Sequence, residues 1–176
     1  MKICSSTYGD LKVEKAQTKS GAFEFLDELL VLHRARAKEL DRQSNFDTDY
    51  GHKFHTELIN NRFDHQELDF LRVTAGNTLV GVLYNLNYQG RVYFFQSGIR
   101  SESDNKLKPG MICHHLAIQY YAEDEKNKIY DFLAGPERYK KSLSTQDELI
   151  YWYVLQKNHL RFKLEKAIIS NLKKRK

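Results

Sequence analysis

Between Leu68 and Ser97 the chain carries three β-patterned runs separated by very short turns, and this spacing limits the fold more than any other feature. Leu68–Thr74 reaches Leu79–Tyr88 through Ala75-Gly76-Asn77-Thr78, and Gln89-Gly90 leads directly into Arg91–Ser97. Turns this short join antiparallel neighbours. The next strand-like run, Ile129–Leu133, follows a helical stretch that opens at Pro109-Gly110 and continues to about Glu125. A strand that returns through one helix crosses over right-handed and lies parallel to the strand it left. Arg91–Ser97 and Ile129–Leu133 are therefore expected side by side and parallel at the centre of the sheet, with a crevice at their shared ends.

The flanking sequence completes a mixed α/β pattern. A strand at Leu11–Lys15 precedes a helix from about Gly21 to Leu40 with Phe25, Leu26, Leu29, Leu30 and His33 on one side. Asp41–Asn45 is turn-like, and Asp47-Thr48-Asp49 offers N-cap chemistry for a helix ending near Arg62. Beyond Leu133 the pattern predicts a long loop, a β-rich segment at Leu149–Leu155 and an amphipathic helix at Leu160–Leu172. The expected architecture is one domain over residues 1–176, with a mainly antiparallel sheet of roughly six or seven strands.

Composition excludes several classes. At 176 residues, 41% apolar and with 11 tyrosines and 10 phenylalanines, the chain can bury a real core. No apolar stretch has the length of a membrane span, and Met1-Lys2-Ile3-Cys4-Ser5-Ser6 does not open a signal peptide. Cys4 and Cys113 suggest neither a disulfide framework nor a zinc site, so a cytoplasmic protein is expected. The net charge of +5 is local: residues 151–176 carry eight Lys/Arg against Glu165 alone. Lys173-Lys174-Arg175-Lys176 reads as a solvated terminus. His52 and His55, and the adjacent pair His114-His115, lack the companions of a metal site and read as structural or solvated, so no metal is expected. The tyrosines are not interleaved with lysines as a nucleic-acid stacking platform would be.

One run stands out chemically. Tyr130-Asp131-Phe132-Leu133-Ala134-Gly135-Pro136-Glu137-Arg138-Tyr139-Lys140 places an acid in an apolar strand and follows it with a Gly-Pro turn, an aromatic hydroxyl and an amine. An unpaired buried carboxylate is costly, and strand ends opening onto loops often carry function. Spacing alone leaves two readings of Asp131: a cap for the turn, or a group that acts on a ligand.

The same run resembles the Asp-Phe-Leu-x-Gly-x-x-x-Tyr-Lys signature of a bacterial branch of the GNAT acyltransferases, grouped around CelD-like proteins and related to the Fem aminoacyltransferases. Leu32-His33-Arg34-Ala35-Arg36 resembles the branch's Leu-His-x-x-Arg helix. Gly81-Val82 to Gly98 resembles its paired central strands, and Leu107-Lys108-Pro109-Gly110 its turn before a helix. In order and spacing the likeness spans roughly Leu11 to Leu155.

The resemblance implies a GNAT-like fold with a splayed parallel pair and an acyl-CoA-dependent N-acyltransferase, with acetyl-CoA or another acyl-CoA as cosubstrate. The acceptor it implies is a small-molecule amine such as an amino sugar or envelope precursor. By the same likeness Lys106, Lys108, Gly110, Met111 and Ile112 would hold the pyrophosphate at a helix N-terminus, and Gln96, Ser97 and Gly98 would line the pantetheine slot and polarise the thioester. Asp131 would bind or deprotonate the amine, and Tyr139 would protonate the departing thiolate or position substrate. Lys140 would hold an anionic group, with His33 and Arg36 near the acceptor. The chain departs from the branch at Ala37, Asp41 and Ser44, where a tryptophan and glycines are usual. It also matches only the second half of longer members, which leaves open a homodimer or association with an N-terminal GNAT-like half. Two other readings remain: aminoacyl transfer from tRNA, with the basic tail on the RNA, or a non-catalytic GNAT domain used as a binding module.

Overall fold

The structure is a computed structural model that describes residues 9–102, 107–135, 137–153, 155 and 162. The chain forms two units, Met1–Ser144 and Thr145–Lys176, and every element named below lies in the first. Five strands make one sheet in the order β1-β2-β3-β4-β5: β1 (Leu11–Lys15), β2 (Leu68–Ala75), β3 (Thr78–Tyr88), β4 (Arg91–Ile99) and β5 (Ile129–Asp131). The helices are α1 (Lys19–Glu39), α2 (Asp49–Arg62), α3 (Pro109–Ala122) and α4 (Arg138–Leu143).

Local chemistry explains most boundaries. Thr18 caps α1 by accepting from Gly21 N–H at 3.0 Å, so the helix starts at Lys19, ahead of the glycine where its apolar pattern begins. Thr48 caps α2 through Gly51 N–H at 2.9 Å. The turn between β3 and β4 takes positive φ at both Gln89 (49°) and Gly90 (78°), the twist a two-residue hairpin requires. α4 falls where the sequence suggests only loop; six residues are too few for apolar periodicity to register.

The two faces of the sheet bury separate cores. Leu71, Val73, Leu83, Val92 and Phe94 pack with Ile112, Cys113, Ala117 and Tyr121 of α3. Phe70, Val82 and Tyr84 pack with Phe25, Leu26, Leu29 and Leu30 of α1 and Ile59 of α2. Burial on both sides explains why β2 and β3 read as nearly continuous apolar runs.

β4 shapes the site. It pairs antiparallel with β3 along its length, with a bulge at Phe95: Asn85 faces Phe94, but Tyr84 faces Gln96. Its pairing with β5 is parallel, as the crossover predicts, and covers only Arg91–Ile129, Val92–Tyr130 and Tyr93–Asp131. From Phe94 onward β4 has no partner on that side among the described residues, and the strands splay. The parallel pair stands at an edge of the sheet among the described residues, and the strand expected at Leu149–Leu155 is not formed by residues 149–153. Alternating side chains supply the pattern of a strand but not the neighbour whose hydrogen bonds define one. The expected helix Leu160–Leu172 and tail 173–176 lie outside the described residues apart from Phe162.

Gly98 belongs to the scaffold. A Cβ there would stand 2.8 Å from Leu29 Cα and 2.9 Å from Leu29 C, so the close approach it permits is that of the α1 backbone. Gly98→Ala is expected to cost on the order of 2–4 kcal/mol in denaturant unfolding, since two backbones must part.

Acid should also loosen the fold. Burial, and then the charge of Lys140, holds the His114 imidazole down to about 4, and burial alone lowers His55. Both stay neutral in the fold and take up protons more readily when unfolded. Their stabilising contribution is therefore complete above the unfolded value near 6.5 and is lost as pH falls toward 4. For His114 the loss is on the order of 3 kcal/mol. Unfolding titrations at successive pH values should show this slope, and His114→Gln should remove most of it.

Candidate active site

At the open end of the splay lies a cleft of about 430 Å³ lined by His33 and Arg36 from α1, Gln96 and Ser97 from β4, Glu102, and Pro109 at the start of α3. Residues from three of the sequence segments singled out for chemistry thus meet in one place. His33 is held by Ser44 Oγ at 3.2 Å from Nδ1 and by the edge of Phe46, and burial lowers its pKa. Arg36 reaches Glu39 at 2.8 Å, and the same Glu39 oxygen accepts from Ser101 at 2.8 Å, tying the rim of α1 to the segment after β4.

The first turn of α3 carries the backbone donors that a helix start leaves without an intrahelical partner. Lys108 adopts φ +43° and serves as N-cap, Pro109 opens the helix, and the N–H groups of Gly110 and Met111 precede the first intrahelical bond. Nothing lies within 4 Å of where a Gly110 Cβ would stand, so open space faces this turn. The Ile112 N–H donates to Lys108 O at 3.2 Å, and its side chain is buried in the core. Lys106 lies outside the described residues.

In β4 the Ser97 N–H donates to Gln96 Oε1 at 3.0 Å and not to β3. A backbone donor at the bulge is thus held by a side chain that can swing away, the property needed for a donor aimed at a carbonyl oxygen.

Asp131, Tyr139 and Lys140 do not line the cleft; they build the other wall of the splay. Asp131 is fully engaged: Oδ2 meets Arg91 Nη1 at 2.8 Å, and Oδ1 accepts from Leu133 N–H at 2.7 Å, where Leu133 turns to φ +57°. The contacts shown are those of the cap, the first of its two sequence readings. Lys140 donates to Ala134 O at 2.7 Å and pairs with Glu137 at 3.0 Å, contacts that hold the loop. Tyr139 is different. It is half-buried, its ring lies 4.9 Å from and within 10° of the His114 plane, and burial, then the Glu137 charge, pushes its pKa up to about 12.

His114 was not legible as a site residue. It is 3% exposed and sits among Phe94, Phe132 and Tyr139, with Nδ1 3.4 Å from Tyr130 Oη. These neighbours come from β4, from β5 and the residue after it, and from α4, and the crossover brings them together. Among the described residues no group of three His, Cys, Asp or Glu side chains could hold a metal ion, and no helix is long and apolar enough to cross a membrane.

Comparison with known proteins agrees with this geometry. None of the curated proteins matches the chain by sequence. Among solved structures, an aminoglycoside acetyltransferase, meta-AAC0020, from an uncultured soil metagenomic sample superposes with a TM-score of 0.57 at 16% identity, over 86% of this chain and 99% of its own. A possible acetyltransferase from Clostridium difficile 630 gives 0.56 at 14% identity, over 83% and 98%. A predicted acetyltransferase from Clostridium acetobutylicum, solved with acetyl-CoA, gives 0.50 at 14%, over 86% and 99%. Identities this low establish a shared fold. The sequence profile described as the acetyltransferase (GNAT) domain matches residues 5–141, which take in the cleft, the α3 N-terminus and Tyr139. The chain therefore belongs to the GNAT acetyltransferase domain family.

Proposed function

We propose that this GNAT acetyltransferase moves an acetyl or related acyl group from coenzyme A to the amine of a small molecule, an amino sugar or other envelope precursor, as its resemblance to the CelD-like branch implies. The observation that carries the reading is the splay: β4 loses its β5 partner after Tyr93 and runs on to the cleft beside a helix N-terminus with free N–H groups. The pyrophosphate fits the first turn of α3, with Lys108 alongside. The pantetheine arm fits the unpaired edge of β4, where Ser97 N–H can turn to the thioester oxygen once Gln96 releases it. The amine enters from the His33–Arg36 side.

In the reaction the amine nitrogen attacks the thioester carbon, a C–N bond forms, the C–S bond breaks, and the nitrogen releases a proton to solvent. The leaving sulfur needs a proton in return. Tyr139, at the position the resemblance gives to this role, would donate its phenolic proton to the sulfur as the C–S bond breaks and regain one from solvent. Aminoacyl transfer from tRNA would rest on the basic tail 173–176, which lies outside the described residues. The Clostridium acetobutylicum neighbour was solved with acetyl-CoA, which supports the donor proposed here.

Three substitutions separate the parts. Tyr139→Phe should leave acetyl-CoA affinity by calorimetry unchanged and lower kcat on the order of a hundredfold; unaltered turnover would remove Tyr139 from the chemistry. Gly110→Ala should leave the melting temperature within a degree or so, since open space surrounds the site, yet weaken acetyl-CoA binding by crowding the phosphates. Asp131→Asn should cost on the order of 1–2 kcal/mol of stability by breaking the Arg91 pair while keeping specific activity; a large fall in kcat in folded protein would restore the base role.

A further inference from the structure

A chain of polar side chains crosses the sheet interior and ends at His114. Lys15 Nζ lies 2.7 Å from Asp69 Oδ1, and the Asp69 side chain is 4% exposed. Asp69 Oδ2 is 3.2 Å from Tyr121 Oη, Tyr121 Oη is 3.1 Å from Asn85 Nδ2, and Asn85 Oδ1 is 3.5 Å from Tyr130 Oη. Tyr130 Oη is 3.4 Å from His114 Nδ1. Asn85 is fully buried. Burying this many polar groups in an otherwise apolar layer is costly unless each finds a partner. Two of the contacts are long, so what they fix is direction more than strength.

The direction follows from donor and acceptor capacity. A carboxylate paired with an ammonium only accepts, so Tyr121 must spend its one proton on Asp69. Its oxygen then accepts from the Asn85 amide nitrogen, which sets the amide with Oδ1 toward Tyr130. Tyr130 in turn spends its proton on Asn85 Oδ1 and has only a lone pair left for His114. The proton on the neutral imidazole must therefore sit on Nδ1, leaving Nε2 bare. With the other tautomer, two lone pairs would face each other across the last gap and the imidazole would be pushed off Tyr130. Tyr139 stacks on that imidazole, so a ring that shifts carries the phenol with it.

We propose that His114 is a positioning residue for Tyr139, fixed as the Nδ1–H tautomer by a directed hydrogen-bond chain that starts at the Lys15–Asp69 ion pair. The His114 ring sets the plane of the phenol and hence where its hydroxyl meets the splay. This rests on Tyr139 being the proton donor to the leaving sulfur. The neutrality of the ring agrees with its burial and with the ammonium of Lys140 on α4, which disfavours a second proton.

The test is long-range ¹H–¹⁵N correlation of the histidine rings in the ¹⁵N-labelled full chain at neutral pH, with His114 assigned by the signal lost in His114→Gln. A single Nδ1–H tautomer is expected. Tyr121→Phe, at a residue that does not line the cleft, should free Asn85 to turn, mix the tautomers, and lower kcat about tenfold with the acetyl-CoA KM unchanged. Should that variant not fold, Tyr130→Phe removes the last link and should have the same two effects. An Nε2–H signal in the parent protein overturns the proposal, as does a variant that leaves tautomer and kcat as they were. Full turnover in Tyr139→Phe would instead overturn the acid role of Tyr139, while the tautomer measurement still reports on the chain itself.

Discussion

The candidate site depends on β4 having, among the described residues, a partner on one side along its length and on the other for three residues only. An unpaired strand edge inside a protein carries exposed donors and acceptors, and this one faces a cleft instead of another strand. The bulge at Phe95 adds to the effect. One extra residue in β4 bends it away from β5, while Gly98 lets α1 press against its far end, placing His33 and Arg36 of that helix at the cleft. Removing any of these three features closes or displaces the space in which donor and acceptor would meet.

The buried polar layer sits just beneath this opening. Asp69 and Asn85 are neighbours across β2 and β3, on strands that are otherwise apolar. Replacing them with aliphatic residues would be neutral or favourable for packing alone, as buried ionic groups seldom repay their desolvation. Their arrangement makes most sense as a source of orientation: an ion pair at one end and an imidazole at the other, with every intermediate group given one donor direction. The Arg72 cluster on the α1 side offers a contrast. There Glu14, Glu24 and Glu28 surround one guanidinium that also covers Phe25, and the result is a surface clamp between β1, β2 and α1 with no route to the site.

Much of the fold could be read from residues alone. Two short turns and one crossover helix give the meander and the parallel register of β4 with β5, and Thr48 and Pro109 mark where α2 and α3 begin. The cleft was legible in part: His33, Arg36, Gln96 and Ser97 meet there, and Gly110 stands in open space at a helix start. What escaped is what depends on burial partners from distant segments. His114 beside His115 looks like one of two ordinary helical histidines, and nothing local says that Phe94, Tyr130, Phe132 and Tyr139 surround the first. The apolar run at 149–153 shows the converse, a strand pattern without a strand, because pairing is a property of two segments and not of one.

Asp131 and Tyr139 illustrate why a motif does not assign roles by itself. Both lie in the same eleven-residue run, and the acid is the more obvious candidate for chemistry. Yet a carboxylate in a short edge strand beside Arg91 and before a left-handed Leu133 is claimed at both oxygens by the loop it must shape. The loop so fixed sets the start of α4, and α4 carries Tyr139 onto the His114 ring. Lys140 reinforces the same geometry from the other side by holding the Ala134 carbonyl. The run therefore works as a lever in which the acid and the amine hold the turn, and the phenol is carried onto the His114 ring. That division of labour follows from the partners each group finds: the carboxylate and the ammonium meet backbone and ion-pair partners of the turn, and the phenol meets an imidazole.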